Sequence, residues 1–445
     1  MDTHLAALLR FAIRGSSACV LAASALLFAG CANVARTGPS EAMQLEARPV
    51  GFPDSVRAMG VAPLTVGSDL KGVTPWIREA AIKEPVNVLA LSGGGAGGAF
   101  GAGALVGWTR AGTRPEFQVV TGVSVGALVA PFAFLGSAWD DKLREAFSGG
   151  RTEHLLRRRW SGALFGSSLY RGQPLASLVD SFITIELVRA IGVEAAKGRL
   201  LLVATTKLDT EQTVVWNLTA IAAQGTEAAR ELIRDVLIAA ASVPGAFPPV
   251  MIHVESLGRR FDEIHVDGAA TTTLLTGTEI PGFLPRSVDA LLGARLYILV
   301  NEQLGAVAQA TPGTTIGIIK RGLAAEFRSS ARADLAIAFL AAESEGMTVM
   351  AADIPNDYPH VGSLDLHRTT MSRLFDFAAH CGASGQLWST PLEIQERAAQ
   401  THIRSTGDES QCPSQNMRWN SRPGQIAQEV GERTGSELQR LDAAN

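Results

Sequence analysis

Residues 86–126 read VNVLALSGGGAGGAFGAGALVGWTRAGTRPEFQVVTGVSVG, and two turns in this stretch decide how the rest of the chain is read. Val86 to Leu91 is an apolar run with valines, broken only by Asn87, the pattern of a parallel strand buried on both faces. The glycines between Gly93 and Gly98 end that run. Ala99 to Trp108 is small and apolar, fit for a helix packed closely on a sheet. Phe117 to Thr121 predicts a second strand, Gly122-Val123-Ser124-Val125-Gly126 a second tight turn, and Val125 to Leu135 a buried helix despite Pro131. Strand, glycine turn and helix, used twice, is how an open α/β sheet brings backbone N–H groups and a nucleophile to one edge.

The first turn is ambiguous by itself. Gly93 to Gly98 contains the G-x-G-x-x-G spacing of dinucleotide sites, after a strand and before a helix. That reading needs an acid at the end of the second strand to hold a ribose. The second strand runs instead into Thr121-Gly122-Val123-Ser124, and no Gly-Lys-Ser/Thr makes a phosphate loop, so no nucleotide is expected. Glycines in succession also let N–H groups converge on one point, as a tetrahedral oxyanion requires. Close strand–helix packing accounts for Gly98 and Gly101 in any case.

The second turn is a nucleophile elbow. G-x-S-x-G between strand and helix stands the Ser124 hydroxyl at a helix N-terminus, where the dipole favours negative charge. A serine needs a base. His360, His367, His380 and His402 follow downstream, none in a strand-end turn, whereas Asp267-Gly268-Ala269 closes a short strand over Ile264 to Val266. His253 and His265 lie nearer in sequence, with His265 equally suited to a structural role. Asp267 also reads as an ordinary turn aspartate before glycine.

Further strands are expected at Leu200–Thr206, Thr213–Trp216, Arg295–Val300 and Met347–Ile354. Helices are expected at Asp140–Phe147, Pro174–Ile183, Glu186–Ala196, Glu227–Ala241, Thr314–Glu343, Leu392–Arg404 and Gln425–Leu441. Arg157-Arg158-Arg159-Trp160, with Phe165, Leu169 and Tyr170 after it, suits either a lipid headgroup interface or a solvated helix end beside core aromatics.

Four motifs in order, LSGGGAGGAF, GVSVGA, ASVPGAFPPV and DGA, resemble the patatin-like phospholipase family, over Val86 to Val300 and on toward Gly382. The resemblance implies an α/β, three-layer patatin-like fold with a mainly parallel central sheet flanked by helices. It implies a Ser-Asp dyad, with Ser124 as nucleophile and Asp267 as base, and an oxyanion hole drawn from Gly93, Gly94, Gly95, Gly97 and Gly98. It also implies hydrolysis of lipid acyl esters with no metal and no other cofactor. One position departs: the family usually has Arg or Lys where this chain has Gly97. The competing readings are an esterase or thioesterase on small acyl compounds, and a catalytically silent lipoprotein that binds lipid or a partner.

Length and composition suit this. At 445 residues the chain holds one large or two ordinary domains, and a net charge of −4 gives no general attraction to nucleic acid or anionic membrane. Arg10 and Arg14 precede the uncharged run Ala18 to Ala29, short for a bilayer span but right for the core of a secretion signal. The run ends in Leu27-Phe28-Ala29-Gly30-Cys31, which resembles a bacterial lipobox and implies cleavage before Cys31 and lipidation of its sulfur. The expected domains are therefore a signal peptide over 1–30, a tether and lead-in over 31–85, a patatin-like domain over 86–380 and a polar, helical extension over 381–445. Localisation follows as the bacterial cell envelope, lipid-anchored at the outer membrane, or else periplasmic or secreted. Cys381 and Cys412 are the remaining pair, open to one disulfide or to two free thiols.

Overall fold

The computed structural model describes residues 36, 39–59, 86–148, 150–156, 168–276, 293–403 and 410–414. The signal core, Cys31, the Arg157–Trp160 cluster with Phe165, and the Gln425–Leu441 helix lie outside these. The strands are β1 (Arg48–Pro49), β2 (Arg57–Met59), β3 (Asn87–Leu91), β4 (Val119–Val123), β5 (Leu200–Lys207), β6 (Gln212–Asn217), β7 (Val250–Ser256), β8 (Arg259–Asp267), β9 (Arg295–Val300), β10 (Ala306–Ala308), β11 (Thr348–Asp353) and β12 (Thr401–Ile403). The helices are α1 (Glu41–Leu45), α2 (Gly98–Arg110), α3 (Val125–Leu135), α4 (Asp140–Ser148), α5 (Gln173–Phe182), α6 (Ile185–Ala195), α7 (Leu218–Ala222), α8 (Glu227–Ala240), α9 (Thr315–Ser344), α10 (Arg368–Ser384) and α11 (Pro391–Ala399).

Strands β5, β4, β3, β9 and β11 lie side by side in that order, all parallel. Both faces are covered, which is why β3 is apolar after its half-buried first residue, Asn87. Alternate side chains go to opposite faces. Leu89 and Leu91 join a core with α2, α3 and α10, whereas Val88 and Ala90 join a second core with Ala331, Leu335 and Ala338 of α9. The result is the three-layer α/β arrangement.

Beyond β5 the sheet becomes antiparallel, through β8, β7 and β1 on one path and β6 and β2 on the other. The edge of β5 is shared: Val119 to Val123 of β4 pair with its residues 200–204, and Asp267 to His265 of β8 continue along the same edge at residues 205–207. The opposite edge of β5 is taken by β6. Since β4 is parallel to β5 and β8 antiparallel, the C-terminal ends of β4 and β8 meet head on.

Two expected boundaries need correction. Part of the 31–85 tether is sheet: β1 pairs with β7, β2 pairs with β6, and Arg57 reaches the interior to meet Glu263 at 2.5 Å. Elements of two and three residues carry no periodicity, and their stability comes from the edges they close. At the other end, α10 runs through the 380/381 boundary with Cys381 buried, and Cys381 is bridged to Cys412 with their Cα atoms 5.5 Å apart. The helix expected at Leu392–Arg404 stops at Ala399, because Gln400 turns extended and Thr401–Ile403 pairs with β10. Among the described residues no helix is long and apolar enough to cross a membrane.

Candidate active site

The meeting of β4 and β8 makes the site. Ser124 follows β4 at φ 54° and ψ −126°, a left-handed backbone imposed on a non-glycine residue, and α3 starts at the next residue. The flanking glycines are there for space. A Cβ at Gly122 would lie 2.5 Å from Gly126 O, and one at Gly126 would press on the Leu91 and Ser92 carbonyls. Val123 and Val125 complete the elbow, Val123 buried at the strand end and Val125 on the cavity wall. On β5, Ala204 faces Val123 and Thr205 faces Asp267, so the residue after Val123 arrives at Asp267. Ser124 Oγ donates to Asp267 Oδ2 at 2.6 Å.

Asp267 is 1% exposed. Burial disfavours its charged form and pushes the carboxyl from 3.8 up to about 7, against the opposing pull of the Ser124 hydroxyl and the Ala269 N–H. That N–H donates to Oδ1 at 2.8 Å, so each carboxyl oxygen holds one donor. The backbone is held as firmly: Asp267 N–H donates to Ser242 O, and the Thr206 hydroxyl donates to Asp267 O. Gly268 is required by close approach, as its Cβ would stand 2.6 Å from Ala204 O. A carboxylate ionising near neutrality, bonded to a buried serine hydroxyl, is a base matched to its proton donor.

The five glycines of the first turn divide into two groups. Gly93 N–H donates to Thr273 O, Gly97 N–H to Gly94 O, and Gly98 N–H to the Ala96 and Gly95 carbonyls. These three are occupied within the fold. Gly97 and Gly98 are packing positions, where a Cβ would overlap Asn301 O and the Val125 side chain respectively. The N–H groups of Gly94 and Gly95 have no acceptor among the described residues, and both residues line the cavity beside Ser124. Gly94 at φ 142° and Gly95 at φ 60° take backbone shapes that side chains resist. Of the five glycine amides these two are left without an acceptor among the described residues, and the Val125 N–H at the start of α3 follows Ser124 directly.

Sequence reasoning did not mark the residues that clamp this loop. Asn301, just past β9, donates from Nδ2 to Ser92 O at 2.7 Å, accepts from Gly101 N–H, and its own N–H donates to Ser92 Oγ. Asp334 of α9 accepts from the N–H and hydroxyl of Thr273, whose carbonyl holds Gly93. The only signal for Asn301 was a polar residue closing a buried strand.

A cavity of about 1110 Å³ opens from the dyad. Its wall is chiefly apolar, with Leu128 and Phe132 of α3, Leu175, Val179 and Phe182 of α5, and Met371 of α10. The proline-rich motif contributes Val243 to Phe247, which fits a loop that three prolines prevent from becoming helix. His360 and His367 also line the cavity, but Ser124 Oγ bonds Asp267 and neither histidine. His265 is buried between Thr205 and Glu263, a structural place. Among the described residues no cluster of three or more His, Cys, Asp or Glu has the arrangement to hold a metal ion.

Residues 89–276 match the family model described as Patatin-like phospholipase. Among solved structures, VipD from Legionella pneumophila is similar over 72% of this chain and 72% of its own, at 12% identity and a TM-score of 0.37. No curated protein matches. The elbow, the glycine loop and the strand-end aspartate all lie inside the matched segment, so residues 89–276 are similar to a patatin-like phospholipase domain, a domain of lipid acyl hydrolases.

Proposed function

We propose that the protein hydrolyses acyl esters of phospholipids or related lipids through a Ser124–Asp267 dyad. The observation that carries this reading is the 2.6 Å bond from Ser124 Oγ to the buried Asp267 carboxyl, which burial pushes up to about 7. Ser124 attacks the ester carbonyl carbon as its proton passes to Asp267 Oδ2. The carbonyl oxygen takes the negative charge and is met by the N–H groups of Gly94, Gly95 and Val125, each such donor worth roughly 2.7 to 4 kcal/mol. Collapse of this intermediate expels the alcohol, which takes the proton back from Asp267 and leaves an acyl-enzyme on Ser124. Asp267 then deprotonates a water that attacks the acyl carbon, and the fatty acid departs with Ser124 regenerated. No metal or organic cofactor enters any step.

The long apolar wall favours lipid acyl chains over small acyl compounds, because a cavity of this size buries a chain that a short ester leaves unfilled. The test is labelling by a fluorophosphonate probe together with lipidomic profiling of products. Wild type should react and release fatty acid from phospholipid, and Ser124→Ala should do neither. A wild-type protein that neither reacts with the probe nor cleaves any acyl ester overturns the proposal and leaves the silent lipoprotein reading.

We propose in addition that Cys31 carries a lipid anchor holding the enzyme at the bacterial outer membrane. Support comes from the apolar run ending in Gly30-Cys31 and from Ala32 in place of an aspartate after the cysteine. Mass spectrometry of the mature N-terminus decides it, since an unmodified Cys31 is incompatible with the anchor.

A further inference from the structure

Helix α9 carries an apolar stripe that nothing among the described residues covers. Ile318, Ile319, Leu323, Ile337 and Leu340 are each between 42 and 67% exposed, and they are five of the nine large hydrophobic side chains exposed among the described residues. At about 100° per residue, Ile319 and Ile337 share one azimuth and all five fall within an arc of roughly 140°, along about 33 Å of helix. The opposite face, with Ala331, Leu335, Ala338 and Ala342, is the one buried on the sheet. Exposed apolar surface gathered on one element, rather than scattered, marks an interaction face.

Its position says what it meets. The stripe is continuous with the cavity: Ile319 and Leu323 belong to both, followed inward by Phe327. An acyl chain leaving a bilayer against Ile319 and Leu323 would enter the cavity that opens from Ser124. The cations of this part of α9 are mostly turned inward: Arg321, Arg328 and Arg332 bond the Val307, Gln303 and Leu304 carbonyls, and on the outside the exposed Lys320 is offset by the exposed Glu326. The outer face is therefore chiefly apolar and close to neutral, as insertion among lipid acyl chains requires.

We infer that the outer face of α9 is where the protein seats on a phospholipid surface, so that the cavity mouth faces the bilayer. The inference deepens the lipid hydrolase reading, and its first test does not need turnover. The full chain carrying Ser124→Ala is footprinted by hydroxyl radicals, with and without vesicles of phosphatidylcholine containing a minor share of phosphatidylglycerol. Oxidation of Ile318, Ile319, Leu323 and Leu340 should fall several-fold on adding vesicles, while Val193 and Leu257, exposed elsewhere, stay unchanged. Equal oxidation with and without vesicles overturns the inference. So does protection that exists without lipid and disappears on dilution, which assigns the face to a second copy of the chain.

A second arm uses Ile318→Asp with Ile337→Asp, two positions on the stripe but off the cavity wall. Hydrolysis of vesicle phospholipid should drop by at least about tenfold, with hydrolysis of p-nitrophenyl butyrate unchanged. Unchanged rates on vesicles refute the docking face. If wild type cleaves neither substrate, the hydrolase reading fails, and the footprint still decides the docking.

Discussion

If Asp267 is the base, pH alone switches the enzyme, and burial sets where. With the carboxyl at about 7, roughly one molecule in a hundred holds it ionised at pH 5 and about nine in ten at pH 8. The kcat/KM for a short-chain ester should therefore rise about a hundredfold over that interval, with a tenfold step per pH unit on the acid limb. An aspartate at the ordinary 3.8 is ionised throughout and gives a flat profile. Product should be followed by chromatography, because nitrophenol titrates in the same range. The same burial makes a stability statement of definite sign. The folded state binds this proton more tightly than the unfolded chain, so the group's contribution is fully present below pH 3.8 and is lost as pH rises through about 7. At about 1.36 kcal/mol per pH unit, the loss is ~4 kcal/mol by pH 8. Asp267→Asn cannot ionise, so its thermal midpoint should exceed that of wild type at pH 8, with the advantage shrinking toward pH 4. Its activity should fall by about a thousandfold. A flat rate profile between pH 5 and 8 refutes the reasoning. So does activity retained in Asp267→Asn and lost in a His360 or His367 variant.

Three other perturbations follow from the fold. Arg57→Met leaves the fully buried Glu263 with Lys207 and His265 only, and should cost ~3 kcal/mol in a denaturant melt. Burial alone would raise the Glu263 carboxyl, but His265 and Arg57 outweigh it and hold the group below its ordinary 4.5. The stability from that pairing is present above pH 4.5 and lost as pH falls, so Arg57→Met should unfold in acid at a higher pH than wild type. Cys412→Ser opens a loop spanning a sequence separation of 31 and should lower stability by roughly 3 to 4 kcal/mol, with a lower Tm by calorimetry and ester hydrolysis retained at room temperature. Gly97→Ala should cost about 1 to 3 kcal/mol in a urea melt, since its Cβ meets Asn301 O. Gly97→Arg, which restores the cation usual in the family, should give no soluble folded protein. A folded Gly97→Arg with raised activity would show that the loop is not closed as described.

What the sequence could disclose depended on how far away the constraint lay. At Gly122, Ser124 and Gly126 the clash and the turn arise within five residues, so the elbow was legible as a string, and the apolar run Val88 to Leu91 of β3 announced a strand covered on both faces. Asp267-Gly268 was legible as a strand end, but its meeting with Ser124 came from β4 and β8 sharing one edge of β5, a fact of register. Elements held by their partners were missed. Strands β1 and β2 have two and three residues, and α10 was passed over although Met371, Leu374, Phe375, Ala378 and Gly382 recur at helical spacing, because threonines, arginines and small residues dilute that face. The glycine loop shows the boundary most sharply. Its five glycines say that backbone must come close to something, and they look alike in the sequence. In the fold, carbonyls occupy three of these amides, Thr273 for Gly93, Gly94 for Gly97, and Gly95 for Gly98, and the proposed mechanism draws its donors from the rest. Asn301 holds that geometry from some two hundred residues away, so replacing it should loosen the oxyanion donors while leaving Ser124 and Asp267 bonded to each other.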